Sequence, residues 1–268
     1  MTEHLIETVD DGVATITFNR PEARNALTGE MLEALPVIAL RLALDPAVRA
    51  VVVTGTGGAF CAGGDVKGMA AGNSRPSGGQ GPSFEARVEG LRAQMEFSRL
   101  LHDMPKPTLA VIAGPAAGAG LSIALACDIR IAANEAKLTT AFSKVGVSGD
   151  FGGTYFLTHL VGAARARELY FMADVLDGAQ AAALGIVNRS VPLEDLAEEA
   201  ARLARRLASL PTIAIGYMKK NLNLAEHEPL GRVLDAEAIH LIRTMMTDDH
   251  KAASQAFVEK RAPQFRGR

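Results

Sequence analysis

Apolar and polar positions change period along this chain of 268 residues. Short alternating or β-branched runs at residues 5–9, 13–18, 50–54, 108–112 and 186–191 predict strands. Helical periodicity fills the stretches between the later ones. Residues 28–44 place Leu32, Leu35, Ile38 and Leu42 on one face behind a Thr28 start, and Pro46 stops the pattern. A second helix is predicted over 84–103, ended by Met104, Pro105, Lys106 and Pro107. Beyond residue 191 the pattern is helical throughout, over 193–209 (with Leu196, Leu203 and Leu207), 212–224, 230–246 and 248–260. The expectation is an α/β core over 1–191, followed by a helical region over 192–268 that packs on the core or on a neighbouring subunit. Residues 71–83 lack an apolar anchor and read as a mobile loop.

Composition narrows the function classes. With 28 Lys+Arg against 30 Asp+Glu the net charge is −2, which gives no global field toward nucleic acid or an anionic membrane. Two cysteines, Cys61 and Cys127, exclude a disulfide scaffold and a four-cysteine zinc site, and fit a reducing, cytoplasmic setting. The start, Met1-Thr2-Glu3-His4, lacks the basic and apolar runs of a signal peptide. The longest weakly polar stretch, 109–126, contains Pro115 and several small residues, a poor membrane span. The six histidines show no paired helical spacing, so no metal site is expected.

Familiar site motifs fail one by one. Gly55 and Gly57 follow an apolar strand, but the third glycine of a dinucleotide loop falls on Phe60. Gly146-Val147-Ser148-Gly149-Asp150 lacks the last glycine of a nucleophile elbow. No lysine follows a glycine loop as in a P-loop.

Two glycine-rich turns survive, Phe60-Cys61-Ala62-Gly63-Gly64-Asp65 and Gly114-Pro115-Ala116-Ala117-Gly118-Ala119-Gly120, each after a predicted strand. Small residues there let a ligand oxygen approach backbone N–H groups that lack intrahelical acceptors. With these turns, Asn19-Arg20-Pro21-Glu22-Ala23-Arg24-Asn25-Ala26-Leu27, the stretch from Lys106-Pro107 to Cys127-Asp128-Ile129-Arg130, Gly152-Gly153-Thr154, and residues 182–188 and 257–261 lie in an order that resembles the crotonase, or enoyl-CoA hydratase/isomerase, superfamily. The resemblance implies a ββα spiral core, a helical C-terminal oligomerisation region, and a homo-oligomer built as a trimer or dimer of trimers. It implies acyl-CoA thioesters as substrates, with coenzyme A as part of the substrate and no separate cofactor, and no nucleic-acid or membrane partner. By motif matching, the thioester oxygen is held by the N–H groups of Gly64 and Ala119. Arg24, Ala26, Ala62, Asp65 and Lys67, with Gly64, match the surroundings of CoA. Glycine is usual at the position of Ala119, where alanine would be strained if φ were positive.

Departures from the family pattern bear on the chemistry. The two glutamates associated with hydration correspond here to Ser122 and Phe142, neither of which is an acid or base at neutral pH. The nearest ionisable candidate is Asp150. One carboxylate suits double-bond isomerisation, because it can remove a proton at one carbon and return it at another. Asp150 could instead cap the helix that follows. Aspartate-nucleophile dehalogenation fits less well, with no tryptophan in the chain and Met95 at the helper position. A hydratase with a non-standard base, and a non-catalytic acyl-CoA binder, are the alternatives.

Overall fold

The structure is a computed structural model and describes residues 2–65 and 81–268. Strand β1 (Leu5–Asp10) turns directly into β2 (Val13–Phe18), and the two pair antiparallel. The alternation read in β2 is a real face, with Ala14, Ile16 and Phe18 buried. Helix α1 (Gly29–Leu44) starts where the Thr28 hydroxyl accepts the N–H of Met31, and it buries Met31, Leu35, Ile38, Ala39 and Leu42. It returns the chain to β3 (Ala50–Gly55), parallel to β2.

The predicted helix over 84–103 is two helices, α2 (Phe84–Gln94) and α3 (Glu96–Asp103), separated at Met95. The physical reason is a change of environment. α2 has no buried residue, whereas α3 sinks Phe97, Ser98 and Leu101 into the core, so the two segments obey different packing constraints. β4 (Thr108–Ile112) follows and is buried along its length, as a parallel strand covered on both faces requires.

β5 (Ala116–Ala117), α4 (Ala119–Leu125), β6 (Ile129–Ala133) and β7 (Lys137–Thr139) come next. Then come α5 (Gly153–Met172), β8 (Leu176–Asp177), α6 (Gly178–Ala183) and β9 (Arg189–Val191). The six-stranded sheet has the order β1-β2-β3-β4-β6-β9, and β5, β7 and β8 form a second, three-stranded sheet. The strand expected over 186–191 shortens to its last three residues, because Ile186 and Val187 close the turn after α6 by bonding the carbonyl of Ala181.

The helical region comprises α7 (Leu193–Ser209), α8 (Thr212–Ala225), α9 (Leu230–Met245) and α10 (Asp248–Val258). The face read from periodicity in α7, Leu196, Leu203 and Leu207, joins the main hydrophobic cluster. α8 is tied down by Lys219, whose amine donates to the carbonyls of Leu101 and Lys106 and to the carboxylate of Asp128. Arg49 reaches the same junction, donating to the carbonyls of Leu210 and Phe265 and to the Thr212 hydroxyl. Among the described residues no helix is long and apolar enough to cross a membrane.

Candidate active site

Three loops meet beyond the C-terminal ends of β2, β3 and β4. The first, residues 19–27, is folded around Asn25, which is fully buried at φ 58°. Its side-chain oxygen accepts the N–H of Arg20 at 2.8 Å, and its amide donates to the carbonyls of Thr56 and Ala59, each at 2.9 Å. One side chain thus clasps the first loop to the second. The guanidinium of Arg20 donates to the carbonyl of Ala26 at 2.9 Å and lies 3.6 Å from the Asp65 carboxylate. Arg20 and Asn25 organise this corner, although they were not read as site residues. Polar side chains immediately after the buried end of β2 were the available signal.

The second loop runs beside the third. Cys61 and Ala116 form a parallel bridge, the N–H of Ala117 donates to the Cys61 carbonyl at 3.0 Å, and both Phe60 and Cys61 donate to the carbonyl of Pro115. Gly63 has φ +86°, and a Cβ there would stand 2.7 Å from the Ala117 carbonyl and 3.3 Å from the Ala119 nitrogen, so only glycine fits. Gly64 bridges Leu27. These contacts bring the turn that carries Gly63 and Gly64 against the turn that leads into Ala119. The N–H groups of Gly64 and Ala119 have no acceptor among the described residues, and that of Ala119 opens α4, where an intrahelical acceptor is impossible. The positive φ of this turn falls on Gly118, at 52°, and Ala119 is not among the residues at positive φ, so alanine sits there without strain.

The expected CoA-contacting positions cluster on the first and second loops. Arg24 is exposed in a left-handed conformation (φ 50°), its carbonyl accepting the N–H of Ala62 at 2.9 Å. Its guanidinium has no ion-pair partner among the described residues and is free for an anion. Ala62 keeps its carbonyl unpaired among the described residues. Ala26, by contrast, has its N–H on Ala23 and its carbonyl on Arg20, so it offers mainly a wall. Asp65 faces Arg20. Lys67, and residues 71–80 of the stretch expected to be a mobile loop, lie outside the described residues.

Asp150 approaches this centre from the loop before α5. Its charge reaches the Cys61 thiol and the Tyr170 phenol, and burial pushes both of those groups up to about 12, leaving them neutral. Asp150 itself is raised from 3.8 to about 6 by loss of solvent. Its Oδ1 is buried without a hydrogen-bond partner. The capping alternative has no support in the geometry: α5 is capped by Gly152 at φ 76°, and no side chain caps it. Ser122, fully buried, donates from its hydroxyl to the Gly118 carbonyl at 3.2 Å. Phe142 stacks on Tyr170 with ring centres 5.8 Å apart. Where the resemblance would place glutamates, this chain has a hydroxyl turned to its own backbone and an aromatic wall.

A cavity of about 760 Å³ lies at the other end of the parallel strands, lined in part by Arg49, Pro105, Lys106 and Tyr217. Two of the four Lys and Arg side chains that line it, Lys106 and Arg49, are spent on backbone carbonyls, and none of the residues discussed above as site candidates lines it. The Asp128–Arg130 motif is likewise structural: Asp128 binds Thr108 and Lys219, and Arg130 donates to the carbonyls of Leu125, Cys127 and Ile186.

The sequence matches the family model described as enoyl-CoA hydratase/isomerase over residues 8–268. It is 37% identical over 268 residues to 1,2-epoxyphenylacetyl-CoA isomerase of Escherichia coli (strain K12), covering all of both chains. It is 36% identical over 270 residues to a probable enoyl-CoA hydratase of Rhodobacter capsulatus, again covering all of both. The crystal structure of a putative enoyl-CoA hydratase from Streptomyces coelicolor A3(2) superposes with a TM-score of 0.92 at 33% identity, covering 99% of this chain and 94% of that one.

Proposed function

The chain belongs to the enoyl-CoA hydratase/isomerase family of acyl-CoA enzymes, and from that premise we propose that it isomerises an unsaturated acyl-CoA, with Asp150 as the single proton carrier. The observation that carries the reading is the solvent-poor carboxyl of Asp150, its Oδ1 buried without a partner and its charge within reach of Cys61, which lies on the same loop as one of two backbone N–H groups without acceptors. The thioester oxygen accepts hydrogen bonds from Gly64 and Ala119. As Asp150 removes an α or γ proton, the electron pair moves through the conjugated carbons onto that oxygen, and the two N–H groups stabilise the enolate. Collapse of the enolate takes the same proton back from Asp150 at the other carbon, so the double bond moves and no atom is gained or lost.

Water addition calls for a second group to hold and activate water. Ser122 and Phe142 do not supply it. Arg24 and Ala62 are assigned to CoA: the free guanidinium to a phosphate and the unpaired carbonyl to the adenine amine. Ala26 and Asp65 complete that corner as wall and brace.

α9 and α10 expose Leu230, Leu234, Leu241, Ile242, Phe257 and Val258, which supports a homo-oligomer as the working assembly; a trimer or dimer of trimers is the order that the family resemblance implies. Light scattering at micromolar concentration tests it, and a monomer would contradict it. The activity is tested with a panel of CoA thioesters assayed in parallel for double-bond migration and for water addition. Migration that outpaces hydration is the expected result; hydration outpacing migration would replace this reading.

A further inference from the structure

The N–H of Gly64 stands at the end of a series of hydrogen bonds that begins at a cation. It shares one amide with the C=O of Gly63, and a trans amide points the two in opposite directions. That carbonyl accepts the N–H of Leu27 at 2.8 Å. The Leu27 N–H in turn shares its amide with the carbonyl of Ala26, which accepts the guanidinium of Arg20 at 2.9 Å. The series therefore runs from Arg20 through the Ala26–Leu27 amide and the Gly63–Gly64 amide to an N–H without an acceptor among the described residues. Its origin is fixed by Asn25. The Asn25 side-chain oxygen accepts the Arg20 N–H, and the Asn25 N–H donates to the Arg20 carbonyl, each at 2.8 Å. The Arg20 side chain is only 16% exposed, and the carboxylates of Glu22 and Asp65 stand 3.6 Å from it, farther than the Ala26 carbonyl.

We propose that Arg20 is a positioning residue whose charge polarises these two amides in series and fixes the plane of the second, so that the Gly64 N–H is a stronger donor to the thioester oxygen. The inference rests on the proposed oxyanion role of Gly64. The first bond of the series is charge-assisted, the strong kind, and it feeds backbone bonds that strengthen one another by roughly 10–30% per bond. An oxyanion donor is worth about 10²–10³ in rate, and that fraction of its logarithm is about 2- to 8-fold. The gain is greatest when negative charge develops on the oxygen, so it falls on kcat more than on substrate binding.

The test is the infrared C=O stretch of butyryl-CoA labelled with ¹³C at the thioester carbonyl, a thioester with no double bond to move, bound to the full-length protein. Bound to the unaltered protein, the stretch should fall below that of free butyryl-CoA. R20M, which keeps an unbranched stem and removes the charge, should lose part of that downshift, and R20K, which keeps the charge, should lose less. On a turnover substrate, kcat should drop by about 2- to 8-fold in R20M with KM within about twofold, and R20K should recover part of the loss. R20Q, neutral but still able to donate, should lose downshift as R20M does, and it carries the test if R20M does not fold. A full downshift retained in folded R20M or R20Q would overturn the proposal while leaving the oxyanion hole standing. A loss as large in R20K as in the neutral variants would reduce Arg20 to a brace of its loop and overturn it too. No downshift in the unaltered protein would overturn the oxyanion assignment itself, and the role of Arg20 with it.

Discussion

The two sides of the site are built by opposite means. On the oxyanion side nearly every polar group is spoken for: Asn25 clasps two loops, Cys61 and Ala116 bridge, and Ser122 backs the Gly118–Ala119 amide. Among the described residues the N–H groups of Gly64 and Ala119, the Ala62 carbonyl and the Arg24 guanidinium are left over. On the proton-transfer side the carboxyl Oδ1 of Asp150 is buried with no partner, and positive φ angles crowd the loop, at Gly149 (112°), Phe151 (50°) and Gly152 (76°). Rigid backbone suits a charge that always develops at the same atom. A base must change protonation during turnover, so close pairing of its carboxylate would fix it in one state. Backbone strain of this kind persists where surrounding packing over-determines it, and Phe151 is held in the core at 2% exposure.

The comparison can be broken most severely at its base. D150N should lower isomerisation by about 10²–10⁴ in kcat with CoA-thioester affinity within about twofold, because it removes proton transfer and keeps the shape. An equal loss of affinity would mean that Asp150 binds substrate instead. Next in size is G64P, which deletes one oxyanion donor and should cost about 10²–10³ in kcat, with a smaller change in binding. Full activity on a confirmed substrate after that change would contradict the hole.

Titration sharpens the contrast. Asp150 ionises at about 6, so kcat should rise with pH through that value and level off above it, and D150N should lack this limb. Stability should follow the opposite course. The folded value lies above the unfolded one, so Asp150 is tolerated best when protonated, below pH 4. The advantage of the protonated form is lost as pH climbs through 6. At pH 7 the asparagine variant should therefore be more stable, by about 3 kcal/mol before solvent screening of the part-exposed carboxyl reduces it, the gap closing below pH 4. A helix-capping aspartate would give no such gain, since asparagine caps equally well.

The legibility of the two sides in sequence also differs, for a physical reason. Local periodicity exposed β2, β3, β4, α1 and α7, whose buried faces repeat every two or every three to four residues. The split at Met95 and the short strands β5, β7 and β8 escaped it. Strands of two or three residues carry no period, and the helix break follows from what α3 packs against. The glycine turns were readable as N–H donors because glycine composition reports close backbone approach. The place of the positive φ, at Gly118 and not at Ala119, was not readable. Asp150 was legible as an ionisable residue near two lost glutamates, but its missing partner and the burial that raises its pKa come from the folded packing around it and leave no local pattern. Asn25 and Arg20 went unread for the same reason: their partners, Thr56, Ala59 and Asp65, lie 31 to 45 residues away.

The most direct test of the account follows single protons. An unsaturated acyl-CoA that the protein isomerises is incubated with it in deuterium oxide, and deuterium at the α and γ carbons, migration of the double bond and addition of solvent are measured by mass spectrometry and NMR. The account predicts migration with exchange at those carbons, little solvent addition, and a loss of both migration and exchange by about 10²–10⁴ in D150N. Rapid addition of solvent across the double bond, undiminished in D150N, would show that the base lies elsewhere and contradict it.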